Sequence, residues 1–134
     1  MRKHLLLFSL FVTGFAQNSL ANDVEILAAA LFHQSQGEYM VNVKLKHNDT
    51  GWEHYADAWR IVDPQDNILG TRTLLHPHVN EQPFTRALNN VKIHDNLTTL
   101  YIEAHDKVHG WSKNRLKIDL TKMQSGKLIV KADK

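Results

Sequence analysis

Hydrophobic and polar residues alternate along much of the chain, with the clearest example at residues 39–46. Tyr39, two valines and Leu45 fall on one face of this stretch, and polar or charged residues fill most of the positions between them. A period of two is typical of a β-strand with one face buried and the other in water. The stretch therefore predicts a strand, which the polar residues 47–51 bring to an end.

Other short apolar segments have the same character and are separated by turn-forming residues. They cover residues 23–32, 59–62, 68–75, 84–88, 98–104 and 116–120. About seven short strands at fairly regular spacing predict an all-β fold, an immunoglobulin-like antiparallel β-sandwich. A small barrel is the alternative. Residues 128–130 either add a last strand or belong to a loose tail rich in lysine.

The first residues follow a different pattern. A basic head at residues 2–4 precedes an apolar run over residues 5–16, which is too short to span a bilayer as a helix. Ser19 and Ala21 then supply small residues at the positions that a signal peptidase reads. This pattern predicts a secretory signal peptide over residues 1–21, with a buried N-terminal helix as the alternative. It also predicts a periplasmic protein with a single β-sandwich domain over residues 22–134.

The overall charge does not favour binding to nucleic acid. The formal net charge is +2, and Arg2 and Lys3 account for both charges while no acidic residue lies in the predicted leader. The exported form is therefore near neutral and has no global attraction to nucleic acid. No second apolar stretch is long enough to predict a membrane span.

The chain contains no cysteine. This excludes thiolate metal sites, haem attachment through cysteine, thiol catalysis and lipid attachment at a lipobox cysteine. The nucleophile motif G-x-S-x-G, the zinc motif H-E-x-x-H and the phosphate-binding loop are absent as well. We therefore predict a protein that is not an enzyme.

Histidine is unusually abundant, with nine in the chain, of which only His4 lies in the predicted leader. Neutral imidazole is a common ligand of Zn²⁺ and Cu²⁺, so the histidines predict a site for zinc or copper. The predicted ligands are His76, His78 and His105, with His54 and His109 in reserve. Carboxylates that would orient their ring nitrogens are Asp57, Glu81 and Asp106. The alternative is a structural network of polar groups without a metal.

The three tryptophans are predicted to lie in two different environments, the core and the surface. Trp59 precedes an apolar segment and is predicted to lie in the core between the sheets. Trp52 and Trp111 stand beside glycines in turns, and we predict that they are exposed and contact a partner protein.

Three longer motifs support a resemblance. Residues 51–59 read GWEHYADAW, residues 74–86 read LLHPHVNEQPFTR and residues 104–110 read AHDKVHG. Together with residues 69–72 they resemble a family of small exported bacterial proteins of uncharacterised function. The resemblance covers about residues 23–120 and leaves out the lysine-rich tail. It implies an exported single β-domain and brings no activity, cofactor or partner with it.

The sequence as a whole predicts a periplasmic, histidine-rich binding protein that serves as a zinc- or copper-binding accessory protein. The alternative is a non-catalytic, immunoglobulin-like module that binds another protein of the cell envelope. The sequence does not indicate an oligomeric state.

Overall fold

The structure, a computed structural model, describes residues 23–134, so the predicted signal peptide lies outside the described residues. Within them the chain forms nine strands and one short 3₁₀ helix. The strands are β1 (Glu25–Ser35), β2 (Glu38–Lys46), β3 (Ala56–Val62), β4 (Ile68–Thr73), β5 (Phe84–Lys92), β6 (Thr99–Asp106), β7 (Gly110–Trp111), β8 (Leu116–Asp119) and β9 (Lys127–Lys131), and the 3₁₀ helix is Leu120–Lys122. No helix among residues 23–134 is long and apolar enough to cross a membrane.

The strands form two antiparallel sheets that pack face to face. One sheet has the order β5-β2-β1-β9, and the other has the order β4-β3-β6-β7 with β8 also paired to β6. This confirms the predicted all-β sandwich. The structure has more strands than the predicted seven, because β7 is a two-residue strand after the turn at residues 107–109 and because the C-terminal residues also join a sheet.

The lysine-rich C-terminal region forms β9 along the outer edge of β1. Leu128 pairs with Leu31 and Val130 pairs with Ala29, so two of the three apolar residues of β9 point toward the core side of the sheet. Leu128 is buried, while Ile129 between them is exposed. Leu128 and Val130 alternate with the outward-facing Lys127, Ile129 and Lys131, and this period of two explains why the segment pairs as a strand.

The core fills the space between the two sheets, and Trp59 is its largest fully buried side chain, with 0% of its surface exposed. Trp59 lies at the middle of β3, between Arg72 of β4 and Ala104 of β6. β6 alternates strictly between partly and fully buried residues along its whole length. The period of two in the sequence thus correctly indicates which side chains of the central strands face the core.

One end of the sandwich brings together most of the histidines. β2, β4 and β6 finish at this end, and β3, β5 and β7 begin there, as the pairings of Leu45 with Phe84 and of Ala56 with Asp106 show. We call this end, formed by residues 47–55, 74–83 and 105–111, the histidine end. It contains every histidine that the sequence analysis selected.

Candidate metal centre

The alternation of β2 continues past the end of the strand into the histidine end. Val43 and Leu45 are buried inward-facing residues, and the next two positions of the same period, His47 and Asp49, are buried as well. The Gln82 side chain holds this extension, because its Oε1 accepts a hydrogen bond from the His47 backbone N–H at 3.0 Å. A polar pair therefore occupies positions where the pattern requires burial.

The Asp49 carboxylate accepts hydrogen bonds from the nearby His47, from Ala56 at the start of β3 and from His78 before β5. Oδ1 accepts from the Ala56 backbone N–H at 2.9 Å and lies 2.6 Å from His47 Nδ1. Oδ2 accepts from the His78 backbone N–H at 2.7 Å. Because a carboxylate is an acceptor, Nδ1 of His47 carries the proton of this hydrogen bond. A carboxylate behind a histidine in this way is typical of metal sites.

Asp106 ends β6 and lies at the centre of the histidine end, with 1% of its surface exposed. Its Oδ1 accepts hydrogen bonds from the backbone N–H groups of Val108 at 2.8 Å and His109 at 2.6 Å. Burial acts to raise the pKa of Asp106, but the hydrogen bonds from His109 and Val108 together outweigh it, so the pKa lies below its usual value. Asp106 is therefore an ionised, buried carboxylate at neutral pH.

Two histidine nitrogens approach Asp106 at distances that suit metal ligands. His47 Nε2 lies 3.6 Å from Oδ2, and His54 Nε2 lies 3.5 Å from Oδ1. One ring nitrogen from each of the two histidines and one carboxylate oxygen of Asp106 all lie within 4.8 Å of one another. Zinc bonds of about 2.0–2.1 Å in a tetrahedron place neighbouring ligand atoms roughly 3.3 Å apart, beyond the usual range of a direct hydrogen bond. His54 Nε2 is also buried without a hydrogen-bond partner in the described part of the chain.

His109 extends this group on its outer side. Its Nδ1 lies 3.1 Å from each oxygen of Asp106, and its ring centre is 5.1 Å from that of His54. Asp23, Asp106 and His109 form a second set of ligand atoms within 4.8 Å of one another. We call His47, His54, Asp106 and His109 the metal cluster.

The structure brings His76 and His78 together but gives His78 other partners. Their ring centres are 4.5 Å apart, and the His78 ring stacks on Phe84 at 3.9 Å. Arg86 Nη2 lies 2.8 Å from His78 Nε2 and, being a donor only, bonds to its lone pair. His78 therefore carries its proton on Nδ1 and has no free lone pair for a metal, whereas His76 beside it is exposed.

His78 also predicts how stability depends on pH. Burial first, and then the charges of Arg86 and His76, hold the pKa of His78 below its usual 6.5, although Asp49 and Glu81 act in the opposite direction. In the unfolded chain His78 therefore binds a proton near pH 6.5, whereas in the folded chain it does so only at lower pH. The free energy of unfolding consequently falls as the pH drops below 6.5.

Replacement of His78 by glutamine, which keeps an acceptor for Arg86, is expected to flatten this dependence. The wild type should have the steeper slope below pH 6.5, and the difference in slope between the two proteins is limited to about 1.4 kcal/mol per pH unit, the value for one proton. Urea denaturation in chelator between pH 5 and 8 measures it. Parallel profiles for the two proteins would show that His78 does not control the dependence.

His105 and Asp57 form a separate pair on the outer face of the five-stranded sheet. His105 Nδ1 lies 2.5 Å from Asp57 Oδ1, and its ring contacts Trp111 with ring centres 4.9 Å apart. The guanidinium of Arg60 covers Trp111 at 3.7 Å and binds Glu103 at 2.9 Å. Among the described residues, His105 belongs to neither of the two sets of ligand atoms that contain Asp106.

The remaining predicted residues lie at the surface of the histidine end. Glu81 is exposed and acts on His78 only through its charge. Trp52 is 63% exposed and contacts Tyr55 edge to face. Trp111 is half-buried beneath Arg60, so Trp52 is the more accessible of the two tryptophans.

Of the predicted residues, the structure brings His54, His109 and Asp106 into the metal cluster and leaves His76, His78 and His105 outside it. His47 and Asp49 were not predicted as site residues, because they belong to the polar segment 47–51 that was predicted to end a strand. The signal was present, because both residues continue the inward period of Val43 and Leu45.

No protein-family model and no solved structure matches the chain. A protein of Halomicrobium mukohataei with the name "Putative lipoprotein" is 33% identical over 78 residues, which is 58% of this chain and 38% of that protein. The chain thus spans well under half the length of this relative, and the similarity covers part of each protein.

Proposed function

We propose that the protein binds a divalent transition metal, Zn²⁺ or Cu²⁺, through His47, His54 and Asp106, with His109 as a further ligand. The single observation that carries the proposal is the convergence of two imidazole nitrogens on the buried carboxylate of Asp106, at 3.5 and 3.6 Å. Imidazole and carboxylate suit Zn²⁺ and Cu²⁺. The absence of cysteine and the isolation of the methionines give no support to a Cu(I) site.

The proposed role is that of a metal-binding accessory protein of the cell envelope rather than an enzyme. The similarity to a protein named as a lipoprotein supports an exported or envelope-associated location. The predicted signal peptide supports the same location, with the periplasm as the specific compartment.

Calorimetric titration of tag-free, metal-stripped protein tests the proposal. We expect one stoichiometric site for Zn²⁺ or Cu²⁺ with a Kd below about 1 μM. Binding should weaken between pH 7 and pH 5, because a ligand imidazole must be neutral and free histidine titrates near about 6.5. The metal should also raise the melting temperature.

Three variants identify the ligands. His54→Ala should lose the site, while His105→Ala, which removes a predicted ligand outside the metal cluster, should keep it. Asp49→Asn should weaken binding by roughly 10–100-fold, because it changes the acceptor that orients His47. Equal losses in His54→Ala and His105→Ala, or no site tighter than about 1 μM, would contradict the proposed centre.

A second candidate function is binding of an envelope protein partner by the histidine end. Large apolar side chains are exposed on all three of its segments, by between 52% and 73%, and they are Trp52, Leu75, Val79 and Val108. Apolar residues grouped on one surface are typical of protein contacts. Loss of partner capture on mutation of Trp52, with no metal bound by the wild-type protein, would favour this candidate.

A further inference from the structure

β4 and β5 are the edge strands of the two sheets on one side of the sandwich, and each presents an arginine to the interior. Arg72 of β4 pairs with Trp59, and Arg86 of β5 pairs with Val43. Trp59 and Val43 are fully buried core residues. Because paired residues of an antiparallel ladder point to the same face, both arginines point between the sheets rather than away from them.

The two arginines lie at the same level of this edge. A methyl group at Gly70 would come within 2.8 Å of Leu88 Cδ2, so the two strands touch there. β4 runs toward the histidine end and β5 runs away from it. Arg72 is two residues beyond Gly70, and Arg86 is two residues before Leu88, which places both in the next inward positions toward the histidine end.

Neither guanidinium has a carboxylate partner. The arginine ion pairs within residues 23–134 are those of Arg60 with Glu103 and of Arg115 with Asp66. Residues 1–22 contain no aspartate or glutamate, so they cannot supply one. Within residues 23–134, Arg86 donates to neutral acceptors, the Thr85 carbonyl and His78 Nε2, each at 2.8 Å. Two positive charges at a partly buried edge are therefore uncompensated.

Two buried donors at this edge also lack an acceptor. Arg72 Nε and Trp59 Nε1 are both buried and have no hydrogen-bond partner among the described residues. The two residues are direct partners in the pairing of β3 and β4. An unpartnered buried donor is costly, so two of them side by side indicate a missing acceptor. A water molecule would accept hydrogen bonds there but would not offset the charges.

We propose that this edge binds a small oxyanion, a sulfate, phosphate or carboxylate group, held by Arg72 and Arg86 with the Trp59 indole N–H as a further donor. We call Trp59, Arg72 and Arg86 the arginine edge. A guanidinium matches the oxygens of these groups with parallel hydrogen bonds, and the anion supplies both the acceptor and the negative charge that the edge lacks. The proposal of an anion site does not require that the proposed metal is bound.

Titration of sodium sulfate, sodium phosphate and sodium acetate into chelator-treated protein tests the inference, with sodium chloride at matched ionic strength as the reference. We expect a saturable rise in melting temperature with at least one of the three salts that chloride does not reproduce. Tighter sulfate or phosphate binding would identify a free inorganic anion as the ligand. Tighter acetate binding would identify a carboxylate.

Arg72→Gln should weaken the preferred anion by at least about tenfold, the loss expected for a charge-assisted hydrogen bond. Arg115→Gln, on the outer face and paired with Asp66, is the matched control and should bind as the wild type does. Trp59→Phe keeps the ring and removes the N–H, and it should weaken the anion by a few fold.

A structural role for Arg72 makes a different prediction. Without anion, Arg72→Gln should keep or raise the melting temperature, because it removes an uncompensated charge. A lower melting temperature together with unchanged anion affinity would assign Arg72 to packing and overturn the inference. So would the absence of any saturable, chloride-independent effect in the wild type, which would leave the edge occupied by water alone.

Discussion

Replacement of Asp106 by asparagine is expected to weaken Zn²⁺ or Cu²⁺ binding by more than about 100-fold. The change keeps the size of the side chain and an oxygen for the backbone N–H groups of Val108 and His109, but it removes the negative charge that faces His47 and His54. Changes to residues that only orient a ligand cost roughly 10–100-fold. Loss of a charged ligand should exceed that range, as isothermal titration calorimetry will measure.

Asp119→Asn is the matched control for this experiment. Asp119 also accepts a hydrogen bond from a backbone N–H two residues ahead, that of Thr121 at 3.0 Å, but it lies at the end of β8 and outside the metal cluster. We expect it to leave the metal affinity unchanged. If Asp106→Asn binds metal within about threefold of the control, a direct role for the carboxylate is contradicted.

Trp59→Ala is expected to lower the free energy of unfolding by about 3–5 kcal/mol, the usual range for a large aromatic side chain in a core. Trp59 is fully buried between β4 and β6, so its removal leaves a cavity that neighbouring strands cannot fill without breaking their pairing. A domain of this size is stable by about 5–15 kcal/mol, so the loss is a large part of the total and should appear as a clearly lower urea midpoint.

Trp52→Ala removes a side chain of the same kind from the surface. Because Trp52 is 63% exposed, its loss should change the free energy of unfolding by no more than about 0.5 kcal/mol. Similar urea midpoints for the two alanine variants would contradict the assignment of Trp59 as the central core residue.

The sheets could be predicted because strand periodicity is a local property of the sequence. The alternation in β2 and β6 reports directly which side chains face the core, and the apolar position of Trp59 indicated its burial. The sequence pattern does not decide between a strand and a loose tail for β9, because its short apolar run lies within a lysine-rich region. Its pairing depends on contact between Leu128 and the distant Leu31, which local pattern cannot show.

The metal cluster was predicted only in part, because its geometry depends on pairing between distant strands. The pairing of Ala58 with His105, next to an irregularity at Asp57, turns His105 toward Asp57 and the outer face. Asp106, one residue later, faces inward. His105 and Asp106 are adjacent in sequence but face opposite sides of the sheet. The spacing of the histidines alone therefore could not show which of them lie in the metal cluster.

Asp49 has a consequence for the whole histidine end, because its two oxygens serve different neighbours. Oδ1 bonds to the His47 ring, which belongs to the metal cluster, while Oδ2 bonds to the backbone of His78, whose ring accepts from Arg86 of the arginine edge. A single carboxylate therefore connects the two proposed sites. By thermodynamic linkage, any factor by which bound metal changes the affinity for an anion is also the factor by which the anion changes the affinity for metal.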